Sequence, residues 1–226
     1  WVVALPAEAH SIGMHGMHPG DCERWRDGWI AVSGIGPHNA MRAAERLLAC
    51  GVTRLANWGV AGALSSDLDP GDVLIADRIR YARDDPGFAT DADANERLAG
   101  ALASDLHVRR GTLWSTTRPV ATPSEKQALA EHSGAIAVDM EAAPIAAVAL
   151  RAKLPFVAVK AICDPAAREL PAGIVRALDG ADEGWSPRMI AAIAFGGPAT
   201  WRATYALTRD FRRARHSLAT AAALAA

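Results

Sequence analysis

A single α/β domain is what the sequence predicts, and three observations carry that prediction. Short apolar runs of strand character alternate with segments of helical spacing along the chain. The clearest case is Ala135–Asp164, where the runs Ile136–Val138 and Phe156–Ile162 flank an Ala-rich segment of helical spacing. The 226 residues also continue without a break in composition, a length that suits one α/β domain.

The elements follow in order. Trp1–Leu5 is apolar and carries no basic leader, so it reads as a first strand and not as a signal peptide. Pro6 ends that run and suits the first turn of a helix, which leaves Glu8 just past a strand end. Taken alone, Glu8 is an exposed first-turn acid that complements the helix dipole. Gly13–Gly20, GMHGMHPG, reads as a loop; its histidines lack a carboxylate or cysteine at ligand spacing, so no metal site is expected, and its methionines suit an adaptable apolar wall. Gly28–Ser33 is a strand, and the turn Gly34–Ile35–Gly36 leads into a helix over Asn39–Ala49. A strand, a glycine turn and a helix N-terminus make a cradle for an anion or polar ligand at Gly34. Asn39 stands where the third glycine of a dinucleotide fingerprint belongs, which argues against a nicotinamide cofactor.

Arg54–Trp58 is the next strand, and Gly59–Val60–Ala61–Gly62 is either a tight turn or a place where backbone approaches a ligand. Asp69–Pro70–Gly71 signals a turn, Val73–Ile75 a strand, and Asp91–Leu106 a helix with Leu98, Leu102 and Leu106 on one face. Gly111–Thr116 is strand-like and leads through Arg118 to Val120 and Ala121, which either line a pocket or pack in the core. Thr122, Pro123 and Glu125 mark a helix start with a capping box. Beyond Asp164, Pro165–Ser186 reads as polar loop. Trp201–Leu218, within a helical segment of about 199–224, is amphipathic: Leu207, Phe211, Ala214 and Leu218 share one face, and Arg202, Arg209, Arg212, Arg213 and Arg215 make it basic. Such a helix packs with a solvated face or rests on an anionic membrane surface.

Composition excludes several classes. Half the residues are hydrophobic and the formal charge is −1, so no global basic field points to nucleic acid. The three cysteines, Cys22, Cys50 and Cys163, are odd in number and lack zinc-type spacing, which reads as reduced thiols of a cytoplasmic protein. The uncharged stretch Met189–Trp201 is shorter than the ~20 residues that span a bilayer.

The chemistry rests on acids at strand ends, because ligands in open α/β sheets bind where strands finish. Asp139 and Glu141 close the first run of Ala135–Asp164, and Asp164 closes the second. A helix start beside Glu141 is expected to keep it ionised and able to accept hydrogen bonds from hydroxyls. Asp164, between an apolar strand and Pro165, is expected to be partly desolvated and able to donate a proton. One charged carboxylate and one proton donor are what cleavage of a glycosidic bond requires, and Glu8 can deprotonate an attacking water.

Four ordered motifs add to this reading. SGIGPHNA at Ser33–Ala40, NWGVAGAL at Asn57–Leu64 with PGDVLIAD at Pro70–Asp77, VDMEAAPIA at Val138–Ala146, and PFVAVKAICD at Pro155–Asp164 together resemble the nucleoside phosphorylase and methylthioadenosine/S-adenosylhomocysteine nucleosidase superfamily. RPVATPSEKQAL at Arg118–Leu129 and LPFVAVKAICDPAARELP at Leu154–Pro171 are most similar to the hopanoid-associated phosphorylases, assigned to removal of adenine from adenosylhopane. The resemblance implies a three-layer α/β/α sandwich around a mixed sheet, in a homo-oligomer. It implies that Glu141 binds the ribose hydroxyls while Met140 packs on the sugar, that Asp164 protonates purine N7, that Glu8 activates water, and that Val120 and Ala121 build part of the base pocket. It also implies a small-molecule adenosyl substrate and no cofactor, with phosphate as a co-substrate in the phosphorolytic members. Asn57 and Val60 depart from the arginine and serine that hold phosphate there, and a valine side chain has no donor. Cys163 replaces a serine before the acid and reads as a small buried residue.

The leading expectation is therefore release of adenine from an adenosyl compound with a large apolar 5′ group. Trp58, Trp114 and the Met14–Met17 loop would form an apolar wall, and the basic helix would bring a cytoplasmic enzyme to the inner membrane. The alternatives are a soluble methylthioadenosine/S-adenosylhomocysteine nucleosidase and a non-catalytic nucleoside- or lipid-binding protein.

Overall fold

The structure is a computed structural model and describes residues 1–84, 86–179 and 197–225. The expected loop over 180–186 and the uncharged stretch over 189–196 lie outside the described residues. The elements are β1 (Val2–Val3), α1 (Pro6–Ser11), β2 (Cys22–Trp25), β3 (Gly28–Val32), α2 (Pro37–Ala49), β4 (Leu55–Ala63), β5 (Val73–Arg80), β6 (Phe88–Ala89), α3 (Ala92–Leu102), β7 (Val108–Ser115), α4 (Pro123–Ser133), β8 (Ala137–Asp139), α5 (Ala142–Ala152), β9 (Phe156–Asp164), α6 (Ala172–Asp179) and α7 (Gly197–Leu224).

The mixed sheet runs β2-β3-β1-β4-β8-β7-β5-β6, and β9 bridges β4 and β5. β4 and β9 are parallel, β9 and β5 antiparallel, β5, β7 and β8 parallel, and β8 returns antiparallel to β4, so five strands close a ring. One edge of β4 is paired with β9 along its whole length. Its other edge is shared: β1 meets it at Asn57, and β8 meets it only at Gly62 and Ala63. Between those points no strand among the described residues pairs with this edge.

Helices cover both sides of the sheet, as the resemblance implies. On one side α2 buries Ala40, Ala43, Ala44 and Leu47, spaced along one face, against an α5 whose buried residues are mostly alanines. Small side chains let these two helices approach each other and the sheet. On the other side α1, α3 and α7 pack over Val159, Ala161, Trp58 and Ile75, with Ala214, Leu218 and Ala221 of α7 fully buried.

Three readings of the sequence need correction. Gly59–Gly62 is neither turn nor loop but the second half of β4, because glycines here remove side chains that would collide with neighbouring carboxylates. Ala172–Asp179 is helical within the stretch read as loop. Trp58 and Met17 do not form an open apolar wall: they are 1% and 3% exposed and sit in the core beside Trp1, and Met14 packs against the same cluster. β2, too polar to show strand periodicity, pairs antiparallel with β3. Among the described residues no helix is long and apolar enough to cross a membrane.

The start of α4 forms as its residues dictate: Thr122 accepts from the Glu125 N–H, and the Glu125 carboxylate accepts from the N–H groups of Thr122 and Ala121. Thr122→Ala removes one half of this box and should lower stability by about 1 kcal/mol in denaturant unfolding.

Candidate active site

Glu8 lies in the first turn of α1, which Pro6 starts immediately after β1. Its position there is far from the exposed acid expected of a surface helix: it is 2% exposed. Oε2 accepts from the N–H groups of Ala4 (2.8 Å) and Leu5 (2.9 Å). Oε1 accepts from the Val60 N–H at 2.9 Å, on the open edge of β4. A Cβ on Gly59 would stand 2.6 Å from that same oxygen, so only glycine admits the carboxylate. Burial pushes the Glu8 carboxyl up, against the opposing pull of Lys160 and the three backbone donors.

Glu141 stands at the N-cap of α5 but does not cap it. Asp139 and Ser115 do so instead, accepting from the N–H groups of Ala142 (2.9 Å) and Ala143 (3.1 Å). The Glu141 side chain turns to the N-terminus of α2, where Oε1 accepts from Gly36 at 2.9 Å, while Oε2 accepts from Met140 at 3.3 Å. The glycine turn read as a ligand cradle thus holds the protein's own carboxylate. Gly34 supports that turn at φ +81°, with its N–H bonded to the Ala4 carbonyl. The expectation that Glu141 stays fully ionised is corrected: burial, then Asp139, pushes its carboxyl up to about 7, despite Lys160 and the Gly36 N–H.

Asp164 ends β9 and is 5% exposed. The register of β4 against β9 slips between Ala61 and Gly62, so that Ala61 faces Ile162 and Gly62 faces Asp164. Cys163 is the extra residue of this bulge, which re-aims the acid that follows. A Cβ on Gly62 would lie 3.0 Å from Asp164 Oδ1. Burial pushes Asp164 up, as expected, while Lys126 pulls it down. The Cys163 thiol, 3.8 Å from Asp164 Oδ1, is driven well above its ordinary range by burial and then by Asp164, which suppresses the thiolate a nucleophile needs.

Two buried charged residues beside these acids had no part in the sequence reading. Lys160 is 2% exposed and its Nζ lies 2.8 Å from Asp139 Oδ2; burial depresses its ammonium, but the field of Asp139, then Glu141 and Glu8, raises it overall. Lys126, from α4, is 1% exposed and ion-paired with Asp164. A signal for both existed: lysine occurs only at 126, 153 and 160 among 24 Lys plus Arg residues, and Lys160 interrupts the apolar strand of β9.

Of the other predicted residues, Val120 packs on Trp114, Leu64 and Val138, whose Cγ1 borders Gly62. The Ala121 carbonyl accepts from Leu170 at 2.8 Å, which joins the loop before α4 to the loop after Asp164. Asn57 is 1% exposed, its amide nitrogen directed at the Val2 carbonyl at 3.5 Å, and the Val60 N–H is taken by Glu8.

Buried acids drawn from α1, from the β8–α5 junction and from the end of β9 thus lie near the second half of β4. Residues 27–213 match the model of the Phosphorylase superfamily, and the chain belongs to that superfamily of enzymes. Its fold is similar to futalosine hydrolase of Helicobacter pylori strain 26695 (18% identity, 99% of this chain and 94% of that one, TM-score 0.71). It is equally similar to the 5′-methylthioadenosine/S-adenosylhomocysteine nucleosidase of Neisseria meningitidis in complex with methylthio-immucillin-A (20%, 99% and 96%, TM-score 0.71). A mutant Helicobacter pylori nucleosidase with 5′-methylthioadenosine in the active site also matches (20%, 97% and 94%, TM-score 0.69).

Two outcomes follow from these charges. Lys160→Met strands Asp139 without its partner and should cost about 3–5 kcal/mol in denaturant unfolding at pH 7. Glu141 titrates at about 7 when folded and from 4.5 when unperturbed, so the folded state holds an extra proton between those values. Its contribution is complete below pH 4.5 and is lost as pH rises through 7. Glu141→Gln should therefore flatten the decline of stability over that range, measured by unfolding at stepped pH.

Proposed function

We propose that the chain cleaves the purine N-glycosidic bond of an adenosyl compound and releases adenine, with water as the nucleophile. The observation that carries this reading is the set of three buried carboxylates in a member of the Phosphorylase superfamily: Glu8 on the Val60 N–H, Asp164 beside Gly62, and Glu141, which lies in the field of Glu8. In this reaction Asp164 gives its proton to purine N7, and the bonding electrons of C1′–N9 pass to the departing adenine. The ribose becomes oxocarbenium-like. Glu141, with Met140 against the sugar, accepts hydrogen bonds from the ribose hydroxyls. Glu8 Oε1 keeps a lone pair beyond the one used by Val60, and its raised proton affinity suits it to take a proton from water as oxygen attacks C1′. Val120 and Ala121 border the base. The chemistry uses the chain's own acids and calls on no cofactor or metal.

Water is favoured over phosphate because Asn57 is buried, the Val60 N–H is taken by Glu8 and Lys160 is matched by acids. For the 5′ group we propose an apolar substituent, with adenosylhopane as the specific substrate; this rests on the motif resemblance and on the exposed arginines of α7, at 202, 209, 212 and 213, which suit an anionic membrane surface. The second reading, methylthioadenosine as substrate, draws support from the Helicobacter pylori relative that holds this compound. The assembly is proposed to be homo-oligomeric.

The test is adenine release from adenosylhopane and from methylthioadenosine, with and without phosphate. We expect release from adenosylhopane at a rate independent of phosphate, with a sugar product that keeps its 5′ group and carries a hydroxyl at C1′. Release from methylthioadenosine alone favours the second reading, ribose 1-phosphate overturns water as nucleophile, and no release from either compound overturns the glycosidic reading. Asp164→Asn should lower kcat by about 10²–10⁴-fold while the fold is retained, as judged by circular dichroism.

A further inference from the structure

Lys126 is one of two fully buried lysines at the site, and it reaches Asp164 from a different element than the strand that carries the acid. α4 begins at the fixed capping box of Thr122 and Glu125, so Lys126 projects from its first turn. The ammonium has three donors and three acceptors: Asp164 Oδ2, the Pro165 carbonyl at 2.9 Å and the Arg168 carbonyl at 3.0 Å. It therefore fastens the acid and the loop behind it together. That loop is held again from the far side, where the Arg168 guanidinium pairs with Asp210 of α7, a carboxylate fully buried and also bonded by Arg209. Burial pushes Asp210 up, but the two arginines overcome it and hold the carboxyl below its usual range, so it stays an anion and a fixed anchor.

The charged and titratable groups facing Asp164 are thus Lys126 from α4, Arg168 from the following loop and Cys163 from β9 itself. Of these only Lys126 touches the carboxylate with a full charge. The geometry points to Lys126 as the positioning residue for proton donation, aiming the Asp164 carboxyl and stabilising the carboxylate left behind when its proton passes to the purine. This rests on the reading above, in which Asp164 is the acid. The balance of the step is simple: the proton moves from Asp164 to N7, C1′–N9 breaks, and the new charge on Asp164 forms beside an ammonium that keeps all its protons. A lysine suits this position better than an arginine, since a compact point charge can bond one carboxylate oxygen and two carbonyls at once. Without that charge, burial is opposed only by the smaller pulls of Arg168 and Cys163, and the acid becomes weaker.

The test is the pH profile of adenine release by Lys126→Met and Lys126→Arg against the unaltered enzyme. We expect Lys126→Met to lower kcat by about 10²-fold and to move the basic limb of kcat/KM at least one pH unit upward, because a weaker acid keeps its proton longer. Lys126→Arg keeps the charge and should keep the limb in place. A limb unmoved in Lys126→Met, with the variant folded, overturns the inference and leaves the glycosidic reading standing; an inactive unaltered enzyme fails that reading instead. If Lys126→Met does not fold, the unaltered protein decides by nuclear magnetic resonance. The carboxyl ¹³C signal lost in Asp164→Asn and the lysine ¹⁵Nζ signal lost in Lys126→Arg should shift with one common midpoint. An Nζ signal unmoved through the Asp164 titration overturns the inference.

Discussion

The open edge of β4 is the constraint on which the site depends. A buried backbone N–H must find an acceptor, and in a sheet the neighbouring strand supplies it. Between Asn57 and Gly62 no strand among the described residues lies against that edge, because β1 stops before it and β8 starts beyond it. The Val60 N–H is satisfied by Glu8, brought there by the abrupt passage from β1 into α1 at Pro6. The same bond completes the strand and aims the acid. Gly59 and Gly62 follow from it, since any side chain at these two places would press on Glu8 or Asp164.

Charge sets the second requirement. Four acids, Glu8, Asp139, Glu141 and Asp164, are buried here with two lysines. Burying unmatched carboxylates is costly, so such groups retain protons or recruit cations. Lys160 matches Asp139 and lies in the field of Glu141 and Glu8, while Lys126 matches Asp164. Burial explains why the proton affinities of Glu8 and Glu141 rise even though each accepts backbone hydrogen bonds, and at Glu141 the neighbouring Asp139 adds to it. A site of buried carboxyl groups with raised proton affinity suits chemistry in which they hand over and take up protons.

Much of this was legible in the chain. The apolar runs ending in acids, the capping box at Thr122 and the four motifs marked the α/β order, the positions of Glu141 and Asp164, and the start of α4. Glu8 was visible as a residue past a strand end but indistinguishable from a surface acid, because its burial comes from β4, about fifty positions away. Trp58 illustrates the reverse error: an aromatic next to a glycine motif reads as a pocket wall, whereas strand alternation turns it into the core against α1 and α7. Lys126 and Lys160 were legible only as an oddity of composition, lysines in a chain that otherwise uses arginine.

By itself the sequence determined most of the elements, the acids and the ends of strands where they stand, since these depend on local periodicity, capping and proline or glycine geometry. The tertiary structure decided which edge of β4 is open, which carboxylate caps α5 and which turns to Gly36, and which lysine faces which acid. Those matters depend on register and burial. A single extra residue at Cys163 changes the partner of Gly62, and proton affinity follows the surroundings that packing creates.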